Sequence, residues 1–387
     1  MRTNNEKQKR LKKTRVQIYA FFTFIGLVIT FLVFITGKNL PDFFKGDEGS
    51  MTKQDLTAED FYCERVGNEI HILKYKGSNN IVNIPDRING YYVTSIGDDA
   101  FYKCESIFSV TVPDTIESIG LRAFYECYEL TEVILSKRLK TIGEFAFFNC
   151  RSLTDIEIPN NVASIGGDAF AYCSSLSSIG VNTDSKFYST FDGALYDYGE
   201  TMLIQAPSGK TGVLMLPKTT RVIIPGALSW CYNISSLEVA NGNVYLISKD
   251  GIVYSNDYRT LICCPPGMTG SVLVDEKTTT IGKLSFLHCS NISSIMFSEV
   301  LVTIKEQAFW YCGGITSIIL PQSVVAIESN AFGGCEQLLY VYFEGNAPNV
   351  GQNVFWETSD LLTIYYKSKA SGFTGLWCGK NTAIFDD

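Results

Sequence analysis

An α/β solenoid, horseshoe-shaped or gently curved, is the fold class that this sequence predicts, and three features carry the prediction. Cysteines at 104, 127, 150 and 173, and again at 231, 289, 312 and 335, stand 23 residues apart except for two steps of 58. Around each of them the same apolar pattern returns. Within each pattern the hydrophobic period switches from that of a short helical segment to that of a strand, so a parallel sheet of short strands is expected to alternate with short helical segments.

The unit from Ile142 to Ser164 shows the pattern fully: Ile142, Gly143, Ala146, Phe147, Cys150, Leu153, Ile156, Ile158 and Pro159. Ala146, Cys150 and Leu153 lie at offsets 0, 4 and 7, one face of a short helix. Ile156 and Ile158 alternate as a strand does, and Pro159 ends it because proline cannot donate to a ladder. Nine units begin at Ile96, Ile119, Ile142, Ile165, Ile223, Ile281, Ile304, Ile327 and Val350. No single unit buries its apolar side; stacked units do. A period of 23 residues falls within the range of leucine-rich-repeat solenoids.

Each step of 58 equals one unit plus 35 residues, so an insertion occurs twice, near 181–215 and 239–273. Asp192-Gly193-Ala194-Leu195-Tyr196 aligns with Asp250-Gly251-Ile252-Val253-Tyr254, and Asp-Gly between apolar residues signals a β-hairpin. Two hairpin arms that pack on the solenoid or project from it are therefore expected. Residues 61–95 read as an N-terminal cap, its runs Glu69–Leu73, Lys74–Gly77 and Ile81–Pro85 forming a hairpin and a first degenerate strand. The nine units fill 96–367, and 368–387 close the array as a C-terminal cap or tail.

The N-terminus obeys other physics. Seven Lys and Arg against one Glu occupy residues 1–15, a predicted cytoplasmic tail. The apolar run Val16–Thr36 has 21 residues, enough for one membrane crossing, and residues 16–37 are expected as a single transmembrane helix. The charge bias places the rest of the chain outside the cell, beginning with a tether over 38–60. A secreted form after signal cleavage is the alternative, though the run is longer than usual and lacks a clear small-residue cleavage site. Beyond residue 37 the chain carries 25 Lys and Arg against 39 Asp and Glu, which argues against nucleic acid as a partner.

Reactive chemistry has little support. The cysteines replace one another at an inward position and read as free, buried thiols rather than a disulfide framework. Cys263-Cys264 has no counterpart in the first insertion, where Gln205-Ala206 stand. The chain has only two histidines, His71 and His288, and no short-spaced cluster of His and Cys for zinc. No catalytic residue, metal site or cofactor is assigned. Asn233-Ile-Ser and Asn291-Ile-Ser fit the glycosylation pattern and are one duplicated feature.

Binding has the better physical basis. The strand positions five and seven residues after each cysteine face outward: Ser109 and Thr111, Glu132 and Ile134, Asp155 and Glu157, Ser178 and Gly180, Ser236 and Glu238, Ser294 and Met296, Ser317 and Ile319, Tyr340 and Tyr342, with Thr363 and Tyr365 at the equivalent places of the last unit. The early and middle part is acidic and polar. The C-terminal part is apolar and aromatic, and Ile319, Tyr340, Tyr342 and Tyr365 form the candidate partner-binding stripe. Trp310, Trp356 and Trp377 fall near the same end.

The segments SIGDDAFYKCESI, TIGEFAFFNCRSLTDIEIP and SIGGDAFAYCSSL, with the entry segment GSNNIVNIPDRINGYYVTSIG, resemble the BspA-like surface leucine-rich-repeat family with its LRR_5-type repeats. The resemblance covers roughly Glu69 to Lys367. It implies a surface or exported protein that recognises a host, matrix or neighbouring-cell protein or glycan, and it transfers no catalytic or ligand-binding residue. A structural spacer or envelope component is the alternative, and a glycan-modifying enzyme a more distant one.

Overall fold

The computed structural model describes residues 56–385 apart from Glu59; the expected cytoplasmic tail, membrane helix and most of the tether lie outside the described residues. Among the described residues no helix is long and apolar enough to cross a membrane.

Each turn of the solenoid contributes one strand to each of two parallel rows of strands. The longer strand comes after the cysteine, as at Asp155–Ile158, and the shorter one, Ser164–Ile165, comes where Ile-Gly begins the next turn. Neighbouring turns pair one repeat apart: Ser109 with Glu132, Asp155 with Ser178, Ser317 with Tyr340, and Thr141 with both Ser118 and Ser164. This register places every inward side chain over its equivalent. Phe101, Phe124, Phe147 and Phe170 stack with ring centroids 4.7, 5.0 and 5.6 Å apart. Phe286, Phe309, Phe332 and Phe355 form a second column at 4.8, 5.0 and 5.6 Å. At Gly143 the turns approach so closely that a Cβ would lie 2.4 Å from the Gly120 carbonyl, which accounts for glycine there.

The expected helical segments are absent: no helix occurs among the described residues, and the A-F-x-x-C stretch is a chain of tight turns. Phe145 and Asn149 adopt φ of 54° and 60°, and left-handed residues four apart cannot belong to one right-handed helix. The hydrogen bonding shows what replaces it. The amides of Ala146, Phe148 and Cys150 donate to carbonyls three residues back, Gly143, Phe145 and Phe147. The alternate amides of Phe145, Phe147 and Asn149 donate into the next turn, to Gly167, Ala169 and Ala171 at 3.1, 2.8 and 3.0 Å. The same alternation recurs at Arg122, Phe124 and Glu126 and at Gln307, Phe309 and Tyr311. Ala146, Cys150 and Leu153 are all buried, as the spacing requires, but on a path other than a helix.

The cysteine joins this network. The thiol of Cys150 lies 3.1 Å from the Phe124 carbonyl of the preceding turn, and that of Cys173 lies 3.0 Å from the Phe147 carbonyl. Every cysteine from Cys104 to Cys378 is a free thiol. Burial pushes the Cys231 and Cys335 thiols up to about 12, so they stay protonated and act as small apolar groups with a weak donor.

Each insertion holds more than the expected hairpin. The hairpin Tyr188–Phe191 to Ala194–Asp197 turns at Asp192 and Gly193, with φ of 51° and 79°, the paired left-handed geometry of a type I′ turn. Its residues Ala194, Leu195 and Tyr196 are fully buried, so it packs into the solenoid instead of projecting. A complete additional turn comes next: Met202–Gln205 pairs with Val222–Ile223, and Gly212–Leu216 pairs with Ile234–Val239. In the second copy Thr260–Cys263 pairs with Thr280–Ile281, and Gly270–Leu273 with Ile292–Met296. These turns lack A-F-x-x-C and carry a shorter segment around Pro207 or Pro265.

The outward row of longer strands therefore has thirteen members, from Ile81–Asn83 to Lys380–Ile384. The nine expected units supply nine of them. The degenerate first strand, the two additional turns and the C-terminal segment supply the rest. Glu69–Leu73 and Lys74–Gly77 are not two hairpin arms; Glu69–Tyr75 is one strand, and Phe61–Val66 is its antiparallel partner.

Removing one ring from a continuous column leaves a cavity that its neighbours can fill only in part. Phe147→Ala is expected to destabilise the fold by about 3–5 kcal/mol. Phe108→Ala, at an exposed position, is expected to cost under about 0.5 kcal/mol; urea unfolding of both variants checks the pair.

Candidate binding face

Outside the buried columns, the strand row presents two outward positions per turn. At the C-terminal end these align into one apolar row. Leu273 pairs with Met296, and Ile319 pairs with Tyr342, which pairs with Tyr365. Met296 and Ile319 stand at equivalent places one repeat apart. Leu273, Met296 and Ile319 are 62, 56 and 57% exposed, too open to be core residues. The parallel row is Ser271, Ser294, Ser317, Tyr340 and Thr363.

The structure brings the expected stripe together. Tyr342 stacks on Tyr365 at 4.9 Å with the planes 18° apart, and Tyr340 lies 6.2 Å from Tyr365. Ile319 continues the Tyr342 row, whereas Tyr340 belongs to the adjacent one. Two members escape the sequence pattern. Leu273 lies in an additional turn that has no cysteine to count from. Phe385 meets Tyr342 edge-on at 5.3 Å from the final segment, and Lys367 lies over its ring at 4.5 Å.

The tryptophans do not share this face. Trp310 stacks on Trp356 at 5.4 Å among the tight turns, and Trp377 is buried against Phe343 in the C-terminal cap.

His288 sits in a second aromatic ladder, also on the turn side. Tyr102, Tyr125, Phe148, Tyr172, Trp230, His288 and Tyr311 succeed one another at 4.4–5.9 Å. Each additional turn has only a short segment on this side, and the large rings of the flanking turns meet across it. Beside the second of these turns lies a cavity of about 230 Å³, walled by Ile224, Pro225, Leu228, Ile262 and Leu287, with Lys283 its only charged lining residue. No set of polar groups converges there that would carry a reaction. Among the described residues no group of three or more His, Cys, Asp or Glu is arranged to hold a metal ion. His71 lies in the strand Glu69–Tyr75, far along the chain from His288.

The profile of the BspA type leucine-rich-repeat region matches residues 75–197 and 269–375, in six copies. The chain belongs to the BspA-type leucine-rich-repeat family. The unmatched stretch between the two blocks holds the first additional turn and most of the second insertion. The pneumococcal vaccine antigen PcpA has a similar fold, with a TM-score of 0.54 at 16% identity over 87% of this chain and 99% of its own. A leucine-rich cell surface protein of Faecalibacterium prausnitzii aligns at 22% identity over 75% of this chain and 88% of its own, with a TM-score of 0.48. A leucine-rich-repeat protein of Bacteroides capillosus is 31% identical over 33% of this chain and 98% of its own, with a TM-score of 0.31. No curated protein matches the chain.

Within this BspA-type scaffold, burial among Trp230, Tyr232 and Tyr311 pulls the His288 imidazole down to about 4. The unfolded chain holds this proton up to about pH 6.5. The contribution of neutral His288 to stability is therefore complete above pH 6.5 and lost as the pH falls toward 4. His288→Phe is expected to narrow the fall in Tm between pH 7 and 4.5, as measured by thermal unfolding across that range.

Proposed function

We propose that this chain is a recognition or adhesion protein. It is held at the outer side of a cell membrane by its N-terminal segment, and it binds a protein or glycan of a host, matrix or neighbouring cell. The observation that carries the reading is the outward row in which Leu273, Met296 and Ile319 are exposed and Tyr342 and Tyr365 half-buried, with exposed Tyr340 beside it. Solvated apolar side chains aligned over successive turns contribute nothing to the core and favour burial against a partner. Tyrosine adds large contact area with few rotatable bonds and a hydroxyl that can hydrogen-bond. Family membership supports the reading. The basic leader and apolar run support the membrane attachment and its orientation. The reading is of a binding surface and not of an enzyme.

The test is a screen of the full-length chain in neutral detergent against host-surface proteins, matrix proteins and glycans, with the variant Tyr340→Ser/Tyr342→Ser/Tyr365→Ser then measured against each partner found. Loss of at least about tenfold in affinity is expected, since a single buried aromatic anchor is often worth about 2 kcal/mol. Tm should change little, because the three side chains lie outside the core. Unchanged affinity for a partner found in the screen would remove the face from the binding site.

A further inference from the structure

The two outward rows carry a charge pattern that narrows the partner. In the twelve strands from Ile81–Asn83 to Thr363–Tyr366, the positions flanking the inward central residue include Glu132, Asp155, Glu157 and Glu238, and not one Lys or Arg. None of these four carboxylates forms an ion pair among the described residues. Glu132 accepts from Ser109, and Glu238 accepts from Ser248. Several carboxylates off these rows are matched by cations, often from a neighbouring turn: Asp99 by Arg122, Glu126 by Lys103, Glu117 by Lys140, Glu306 by Lys283 and Glu328 by Lys305. These pairs lie off the outward rows, and the rows themselves hold four carboxylates with no cation among them.

Resting on the recognition reading above, we propose that the partner of this face is a cationic protein segment. Its Lys or Arg side chains would pair with Glu132, Asp155, Glu157 and Glu238, while its apolar or aromatic side chains cover the row from Leu273 to Tyr365. Charge complementarity excludes the opposite class. A sulfated or sialylated glycan, a nucleic acid or an anionic headgroup would meet four unpaired carboxylates and no cation in these rows. The segment would lie across the turns, because the acidic positions precede the apolar row along the solenoid axis. Its basic part would lead, with its apolar part behind.

The experiment titrates a fluorescent peptide of about twelve residues, one half rich in Lys and the other in Tyr, onto the full-length chain in neutral detergent. A Glu–Tyr peptide and heparin serve as the anionic arms. The Lys–Tyr peptide is expected to bind and the anionic probes not to. Affinity should fall as salt rises and the screening length shortens. The variant Glu132→Gln/Asp155→Asn/Glu157→Gln/Glu238→Gln keeps the hydrogen-bond acceptors and is expected to weaken peptide binding by about tenfold or more. An equal charge change at exposed sites outside the two rows, Glu105→Gln/Glu276→Gln/Glu299→Gln/Asp360→Asn, is expected to weaken it by less than about twofold. Equal effects of the two variants, or heparin binding as tight as the peptide's, would overturn the proposal. Loss of binding in the tyrosine variant alone would keep the face as the site and overturn the cationic class. Insensitivity to both the tyrosine and the carboxylate variants would sink the face itself.

Discussion

Alternating backbone hydrogen bonds in the tight-turn segment are the constraint on which the rest of this structure depends. Every second amide from Phe145 to Asn149 closes a local turn, and the others reach the next turn of the solenoid. A buried stretch of chain needs nearly all its amides paired, and a helix would pair them internally. Here half of them are paired between turns, so a segment outside both strand rows still fixes the spacing of neighbouring turns. The thiol bond from Cys173 to the Phe147 carbonyl and the stacked phenylalanines act at the same junction. With the turn side fixed in this way, the strands on the other side hold a constant register, and outward residues of successive repeats line up as rows.

Much of this was legible in the sequence because columns are legible. The spacing of Ala146, Phe147, Cys150, Leu153 and Ile156 reveals the buried set and the register directly, and Asp192-Gly193 marks a correct hairpin turn. The path of the A-F-x-x-C stretch was not legible. Offsets of 0, 4 and 7 fit one face of a helix and equally fit a series of tight turns, and residues such as Phe145 and Tyr172 carry no mark of a left-handed conformation. The additional turns were hidden for a related reason. They keep strand residues such as Val272 and Leu273 but lose the cysteine and phenylalanine that make a unit countable. Ile319, Tyr342 and Tyr365 could be placed from the cysteine count, whereas Leu273 and Phe385 could not.

The distribution of charge comes from the same architecture. Residues one repeat apart are neighbours in space, so Lys283 meets Glu306 at 2.7 Å and Lys305 meets Glu328 at 2.7 Å. Such partly exposed pairs each contribute at most about 1 kcal/mol. They lie off the outward strand positions, which hold no Lys or Arg. The strand face is left with acids, serines and a graded apolar end, a composition that suits recognition better than it suits stability.

Site-resolved native-state hydrogen exchange at Phe145, Phe147 and Asn149 tests the turn-to-turn bonding most directly. If these amides bond into the next turn, they exchange as slowly as the core strand residue Ile156, although they belong to no helix or strand. Exchange at the rate of exposed turn amides, with Ile156 still protected, would contradict the assignment and leave the register to side-chain packing alone.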